Sequence, residues 1–282
     1  MPSGSLNAAN ELTASPSISS YSYDGDGNET GNSVGASFTY NGKNQTTAMT
    51  DNGQTLSSLT YSDVGQTQRT AAGGTTLASS PLGVQITTSG GSAIYYTRDN
   101  QGNLISERES NGTHWYFLED GSGSVVGVTG PTGSATGDRY HYDPYGNVTL
   151  NTGVVDNVWG YAGGYTDTTG LVKFGTRYYD PSTGRWTQQD PVGGSIANPG
   201  TVNRYPYVSD NPINYADPSG KNGVDCFFAS AGLLGGFLGI ATILVLGFPE
   251  AEIGLAYAGL ALGLSIIGII GGEYSLLQGA CG

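Results

Sequence analysis

Carboxylates are the side chains of this sequence with the widest chemical scope. Asp180, Asp190 and Asp217 each stand before a proline, and the ordinary use of such an Asp is to open a turn. Two carboxylates that a fold brings together cannot both ionise cheaply. They share a proton, so that one activates a water while the other acts as an acid. Asp190 and Asp217 lie 27 residues apart, so only tertiary structure can pair them. Asp24, Asp26 and Asn28 imitate the start of a calcium loop, but Glu29 and Gly35 occupy the places that need a glycine and a closing glutamate. His114 and His141 have no partners at metal-ligand spacing. No metal and no other cofactor is therefore expected. Arg185 and Trp186 are neighbours that stack on each other or line an interior contact, and the sequence leaves both open.

The elements that must position these groups are strands. Of 282 residues, 47 are Gly and 19 are Tyr, against 7 Phe. A chain rich in Gly, Ser, Thr, Asn and Tyr favours many short strands joined by tight turns. The net charge is −13, split as −10 over residues 1–220 and −3 over residues 221–282. Neither part carries a basic stripe, which argues against nucleic acid as a partner. The opening MPSGSLNAAN has neither a basic nor an apolar region of the kind a secretory signal peptide needs.

A unit of one or two Tyr, a polar residue and a Gly turn recurs along the chain. It reads YSYDGDGNETGN from Tyr21, FTYNGKNQTT from Phe38, LTYSDVGQTQRT from Leu59, IYYTRDNQGNLISER from Ile94 and YHYDPYGNVT from Tyr140. Tyr at alternate positions puts both rings on one face of a strand. Asp or Asn followed by Gly then supplies the positive φ of a hairpin turn. Repetition predicts an antiparallel sheet with aromatic ladders.

The unit resembles the YD repeat of RHS proteins, teneurins and the C components of insecticidal toxin complexes. The stretch from Leu171 to Gly220, LVKFGTRYYDPSTGRWTQQDPVGG and then NRYPYVSDNPINYADPSG, is similar to the RHS-associated core in order and spacing. The resemblance covers roughly residues 20–220. It implies a mainly β fold, a strip of antiparallel sheet forming all or part of a hollow shell around a C-terminal cargo, often a toxin. Family shells use many more repeats. A strip this short is expected to leave open edges and to be a fragment or a shortened member. The expected organisation is a partial repeat or disordered lead over 1–20, YD repeats over 21–150, a core over 151–220 and a separate tail over 221–282. The resemblance also implies an intramolecular aspartyl protease, with Asp190 and Asp217 as the paired aspartates, Arg177 as the core arginine, and cleavage after the final DPxG motif, here at Gly220. Lys221 follows, where the family usually has Leu.

The tail changes composition abruptly. Cys226 to Phe248 is 23 residues without a charge, Ile253 to Gly272 is another 20, and PEAE separates them. A bilayer core of about 30 Å takes roughly 20 helical residues. The pattern therefore predicts an α-helical, transmembrane-like hairpin over about 226–248 and 253–272. Gly at four-residue spacing inside both segments favours helix contact in lipid. Such a hairpin returns Cys281 toward Cys226. A disulfide in an oxidising compartment and two free thiols both stay open. The expected function is a toxin-type shell whose tail inserts into a membrane or forms a pore. The alternative is a membrane-anchored, wall-associated structural or adhesion protein without enzymatic activity. The implied partners are the chain's own tail as cargo, a membrane and, by the resemblance, an immunity protein. The implied location is membrane-associated, secreted or cell-surface.

Overall fold

The computed structural model describes residues 4–62, 68–132, 135–153, 155–194 and 201–221. The architecture is antiparallel β throughout. A small hairpin pairs β1 (Ser5–Leu6) with β2 (Leu12–Ala14). A five-stranded meander follows, with β3 (Tyr21–Tyr23), β4 (Glu29–Asn32), β5 (Ser37–Tyr40), β6 (Thr46–Asp51) and β7 (Gln54–Leu56) in sequence order. A ten-stranded meander continues with β8 (Thr60–Ser62), β9 (Gln68–Ala72), β10 (Thr75–Ser80), β11 (Gly83–Ser89), β12 (Ser92–Arg98), β13 (Leu104–Glu109), β14 (His114–Glu119), β15 (Val125–Thr129), β16 (Ala135–Tyr142) and β17 (Val148–Asn151). A four-stranded sheet closes the order: β18 (Tyr165–Thr166), β19 (Val172–Phe174), β20 (Arg177–Asp180) and β21 (Arg185–Trp186). Register shifts interrupt the pairs β10/β11, β12/β13, β14/β15, β15/β16 and β16/β17. Such irregularities bend strands and curl a sheet.

The repeat explains the turns atom by atom. At Asp24 one carboxylate oxygen accepts the backbone N–H groups of Asp26 and Asn28, and the Asn28 amide donates to the other oxygen. Asp99 with Gln101 and Asn103 repeats the pattern, as does Asp143 with Tyr145 and Asn147. The glycine three residues after each Asp has positive φ, at Gly27, Gly102 and Gly146. The residues that imitate a calcium loop are thus a self-satisfied turn. Among the described residues, no group of three His, Cys, Asp or Glu is placed to hold a metal. The repeat tyrosines carry the other half of the unit. Their rings turn inward, and the hydroxyls donate to carbonyls of earlier strands: Tyr40 to Glu29, Tyr61 to Thr46 and Tyr142 to Val125. A tyrosine here supplies apolar area and satisfies a buried acceptor at once.

Residues 159–194 and 201–217 fill the inner faces of the two meanders. Leu171 and Tyr178 pack with Phe38, Met49, Leu56 and Leu59 of the five-stranded sheet and its exit. Trp159 packs with Tyr96, Phe117, Val125 and Tyr140 of the ten-stranded sheet. Between them lies an aromatic cluster of Tyr161, Phe174, Tyr179, Trp186 and Tyr207. Tyr179 and Tyr207 have ring centroids 4.5 Å apart. Among the described residues no helix is long and apolar enough to cross a membrane. The hairpin expected over 226–248 and 253–272, with Cys226 and Cys281, lies outside the described residues.

Two predictions follow from the buried groups. Tyr179 is fully buried, and its hydroxyl donates to the Tyr145 carbonyl at 2.7 Å. Tyr179→Ala should lower unfolding free energy by about 3–5 kcal/mol, as for other large buried aromatics, read as a fall in the urea midpoint. The second concerns pH. Burial first, then the carboxylates of Asp180 and Asp51, push Glu29 up to about 8. Burial, then Glu109 and Asp156, push Glu107 up to about 7. Both groups bind a proton more tightly folded than unfolded, where the value is 4.5. Their protonated forms therefore favour folding below the ordinary carboxylate range, and that contribution is lost as pH rises toward 8. Tm should fall between about pH 5 and about pH 8, and Glu29→Gln should flatten the slope.

Candidate functional site

Strand β20 is buried on both faces, so alternation along it sorts polar groups between two interiors. Tyr178 packs against the five-stranded sheet, and its hydroxyl accepts from Arg69 of β9 at 2.5 Å while Arg69 also pairs with Asp167 at 2.5 Å. Arg177 points the other way, with its side chain 3% exposed. Its Nη2 meets Asp190 Oδ2 at 2.8 Å and Asp217 Oδ2 at 3.3 Å. Its Nε donates to the Gly220 carbonyl at 2.5 Å. The guanidinium lies on the face of Trp186, with Cζ 4.0 Å from the ring centroid. The residues singled out in the sequence, Arg177, Asp190, Asp217 and Gly220, therefore converge on one guanidinium.

The two aspartates are held differently. Asp190 is anchored by its backbone, with N–H to the Arg204 carbonyl at 3.0 Å, and its Oδ1 accepts the Val192 N–H at 2.8 Å. Its side chain is 18% exposed, against 2% for Asp217. Burial raises the Asp190 carboxyl, the Arg177 charge opposes that, and the Asp217 charge adds to it. Asp217 stands against the wholly buried Tyr207, whose hydroxyl accepts its N–H at 3.3 Å. Its Oδ1 accepts from the Ser219 hydroxyl at 2.9 Å and from the Lys221 N–H at 3.3 Å. Both aspartates open turns as an Asp-Pro does, and both also face Arg177. The turn use and the site use coexist in one side chain.

The Gly220–Lys221 peptide is gripped at both ends. Its carbonyl accepts from Arg177 Nε and, at 3.3 Å, from Thr176 Oγ1. Its N–H points to Asp217 Oδ1 and, at 3.2 Å, to Ser219 Oγ. The approach is close enough to demand two glycines. A Cβ at Gly175 would sit 1.7 Å from the Ser219 oxygen, and one at Gly220 would sit 2.4 Å from the Phe174 oxygen. Both glycines have positive φ, which a side chain would strain. Gly175, Thr176, Tyr207 and Ser219 did not stand out in the sequence. The signal for Gly175 and Thr176 was their place as the two-residue turn between β19 and β20, next to Arg177.

Arg185 and Trp186 do not stack on each other. Consecutive strand residues face opposite sides, so Trp186 lies under Arg177 while Arg185 sits over Tyr205 at 5.1 Å. His114 pairs across strands with Arg108, and His141 with Leu150.

Residues 87–213 match the family model of the teneurin YD-shell. Toxin subunit YenC1 of Yersinia entomophaga is 34% identical over 105 residues, which is 34% of this chain and 10% of that protein. Teneurin-3 of Mus musculus is 32% identical over 126 residues, 43% of this chain and 4% of that protein. The chain thus spans a tenth or less of the length of these relatives. The crystal structure of TcdB2-TccC3 matches with a TM-score of 0.59 at 19% identity, over 77% of this chain and 12% of that chain. At that identity the likeness is one of fold. Repeat turns, inward tyrosines, a filled sheet interior and these similarities agree: the chain is an RHS/YD-repeat protein.

Proposed function

We propose that this chain is the C-terminal part of a toxin-type shell that cuts its own backbone between Gly220 and Lys221. The cut releases residues 221–282 as a membrane-active segment, with residues 151–220 acting as the processing core. The observation that carries the cleavage reading is the Gly220–Lys221 peptide itself, held by Arg177 at its carbonyl and by Asp217 at its N–H, with Asp190 on the same guanidinium. Two carboxylates on one guanidinium repel each other, and that repulsion favours one shared proton on the pair against the pull of Arg177. Asp190, the more exposed of the two, takes a proton from water as the water oxygen bonds to the Gly220 carbonyl carbon. Asp217, beside the Lys221 nitrogen, gives its proton to that nitrogen as the C–N bond breaks. The products are a Gly220 carboxyl group and a free Lys221 amine, and no cofactor is required. The membrane reading of the tail rests on its two long uncharged stretches. The relatives among toxin subunits favour a toxin-type shell; membrane insertion and pore formation are this proposal's own step.

Purified full-length chain should resolve on a denaturing gel into two pieces whose masses place the cut at Gly220. Asp190→Asn should slow the cut by about a hundredfold or more. The same cut in the mutant at the wild-type rate would remove Asp190 from the chemistry. Because Asp190 works as the ionised base and its carboxyl is raised, the acid limb of the rate should lie above the ordinary carboxylate range, with the rate increasing as pH rises through it. For the tail, the full chain added to dye-loaded liposomes should cause leakage, faster in mild acid where Glu250 and Glu252 protonate. Binding without leakage would favour the membrane-anchored structural alternative.

A further inference from the structure

We propose that Thr176 is the second donor of a two-point oxyanion site on the Gly220 carbonyl, completing what Arg177 Nε begins. This rests on the self-cleavage reading and adds a residue to it. A carbonyl oxygen offers two lone pairs. One accepts Arg177 Nε at 2.5 Å and the other faces Thr176 Oγ1 at 3.3 Å. The first contact is short and charge-assisted. The second is longer than the 2.5–3.0 Å usual for a hydroxyl donor. A donor that stands slightly off the ground-state carbonyl and closes as the oxygen gains charge stabilises the transition state more than the substrate.

The local fold explains why a threonine stands there. Phe174 and Arg177 pair across a two-residue turn made of Gly175 and Thr176. Gly175 has φ +40, the positive value a hairpin turn needs at its first central position. The turn lies directly on the substrate segment, because the Thr176 N–H donates to the Ser219 carbonyl at 3.4 Å. Thr176 is thus pinned by its own backbone to the residue before Gly220. An ordinary turn threonine would return its hydroxyl to its own turn. This one reaches 44 residues along the chain, to Gly220.

In the reaction, water attacks the Gly220 carbonyl carbon and the carbonyl electron pair moves onto oxygen. Arg177 Nε–H and Thr176 Oγ–H hold that negative oxygen without giving up a proton. The oxyanion then collapses, the C–N bond breaks, and the Lys221 nitrogen takes the proton of the aspartate pair. Thr176 is unchanged at the end.

The test follows newly made full-length chain by pulse-chase in a cell-free system, with the cut read by gel and intact mass. T176V keeps the shape and loses the hydroxyl. It should cut about 10- to 100-fold more slowly, since one oxyanion donor is lost while the charged one stays. T176S should restore most of the rate, and the pH of the acid limb should stay where the wild type has it. The uncut backgrounds D190N and D190N/T176V should melt at the same temperature. If T176V cuts as fast as wild type, Thr176 is no donor while self-cleavage itself stands. If T176S is as slow as T176V, or the double variant melts lower, the role is structural and the proposal is overturned. If the wild-type chain stays whole throughout, the self-cleavage reading fails and this inference with it.

Discussion

A guanidinium whose side chain is 3% exposed is tolerable only if its charge and its donors are met inside the protein. Arg177 meets them with Asp190, Asp217 and the Gly220 carbonyl, and Trp186 covers one face of its plane. The distant segments that carry Asp190 and Asp217 are thereby drawn to the start of β20. The same guanidinium that organises the local fold brings the two carboxylates side by side.

The core segment does not build this arrangement alone. The repeat sheets hold it from outside by contacts between residues far apart in the chain. The Gln188 amide donates to Thr46 Oγ1 at 2.9 Å, and the Glu29 N–H donates to the Thr187 carbonyl at 2.8 Å. These two bonds fix the strand exit that leads to Asp190. Tyr205, one residue after the Arg204 carbonyl that anchors Asp190, donates its hydroxyl to Gly27 at 2.7 Å. Gly27 sits in a repeat turn, so the sheet's turn chemistry reaches the site within a few bonds. The buried Arg69–Asp167 pair, which also engages Tyr178, ties β9 to the back of β20. Removing one partner of such a pair is costly because the other is left charged and buried. Residues of the repeat sheets and the segment around Arg177 are therefore joined by hydrogen bonds and an ion pair at several points.

Much of this was legible in the sequence because it rests on local rules. Asp, then Gly three residues on, then Asn predicts a turn, and Asp24, Asp99 and Asp143 make it by the same hydrogen bonds. Alternating Tyr predicts an inward face, and Tyr40, Tyr61 and Tyr142 occupy one. The convergence of Arg177, Asp190 and Asp217 came from a family resemblance, not from spacing, since nothing local distinguishes Asp190 from the turn-forming Asp180. The rest was illegible for a physical reason. Arg69 and Asp167 are 98 residues apart, and a pairing of that kind leaves no periodic trace. For Arg185 and Trp186 the sequence left stacking and an interior contact both open; strand alternation places Trp186 in the interior against Arg177. Thr176 and Gly175 look like any hairpin turn until the segment around Gly220 is laid across them.

The place of Lys221 follows from how the peptide is held. Arg177 and Thr176 hold the Gly220–Lys221 bond at its carbonyl, Asp217 and Ser219 hold it at its N–H, and the fit is enforced by two glycines that leave no room for a Cβ. Recognition of this kind depends on backbone shape at Ser219 and Gly220. These four bonds all end on the peptide's own backbone atoms. The two glycines are different. A methyl group at Gly175 would collide with backbone, not with the movable end of a side chain, and would push the Ser219–Gly220 segment off Thr176 and Arg177 together. A strict constraint at this site therefore lies on the two glycines and the donors beside them.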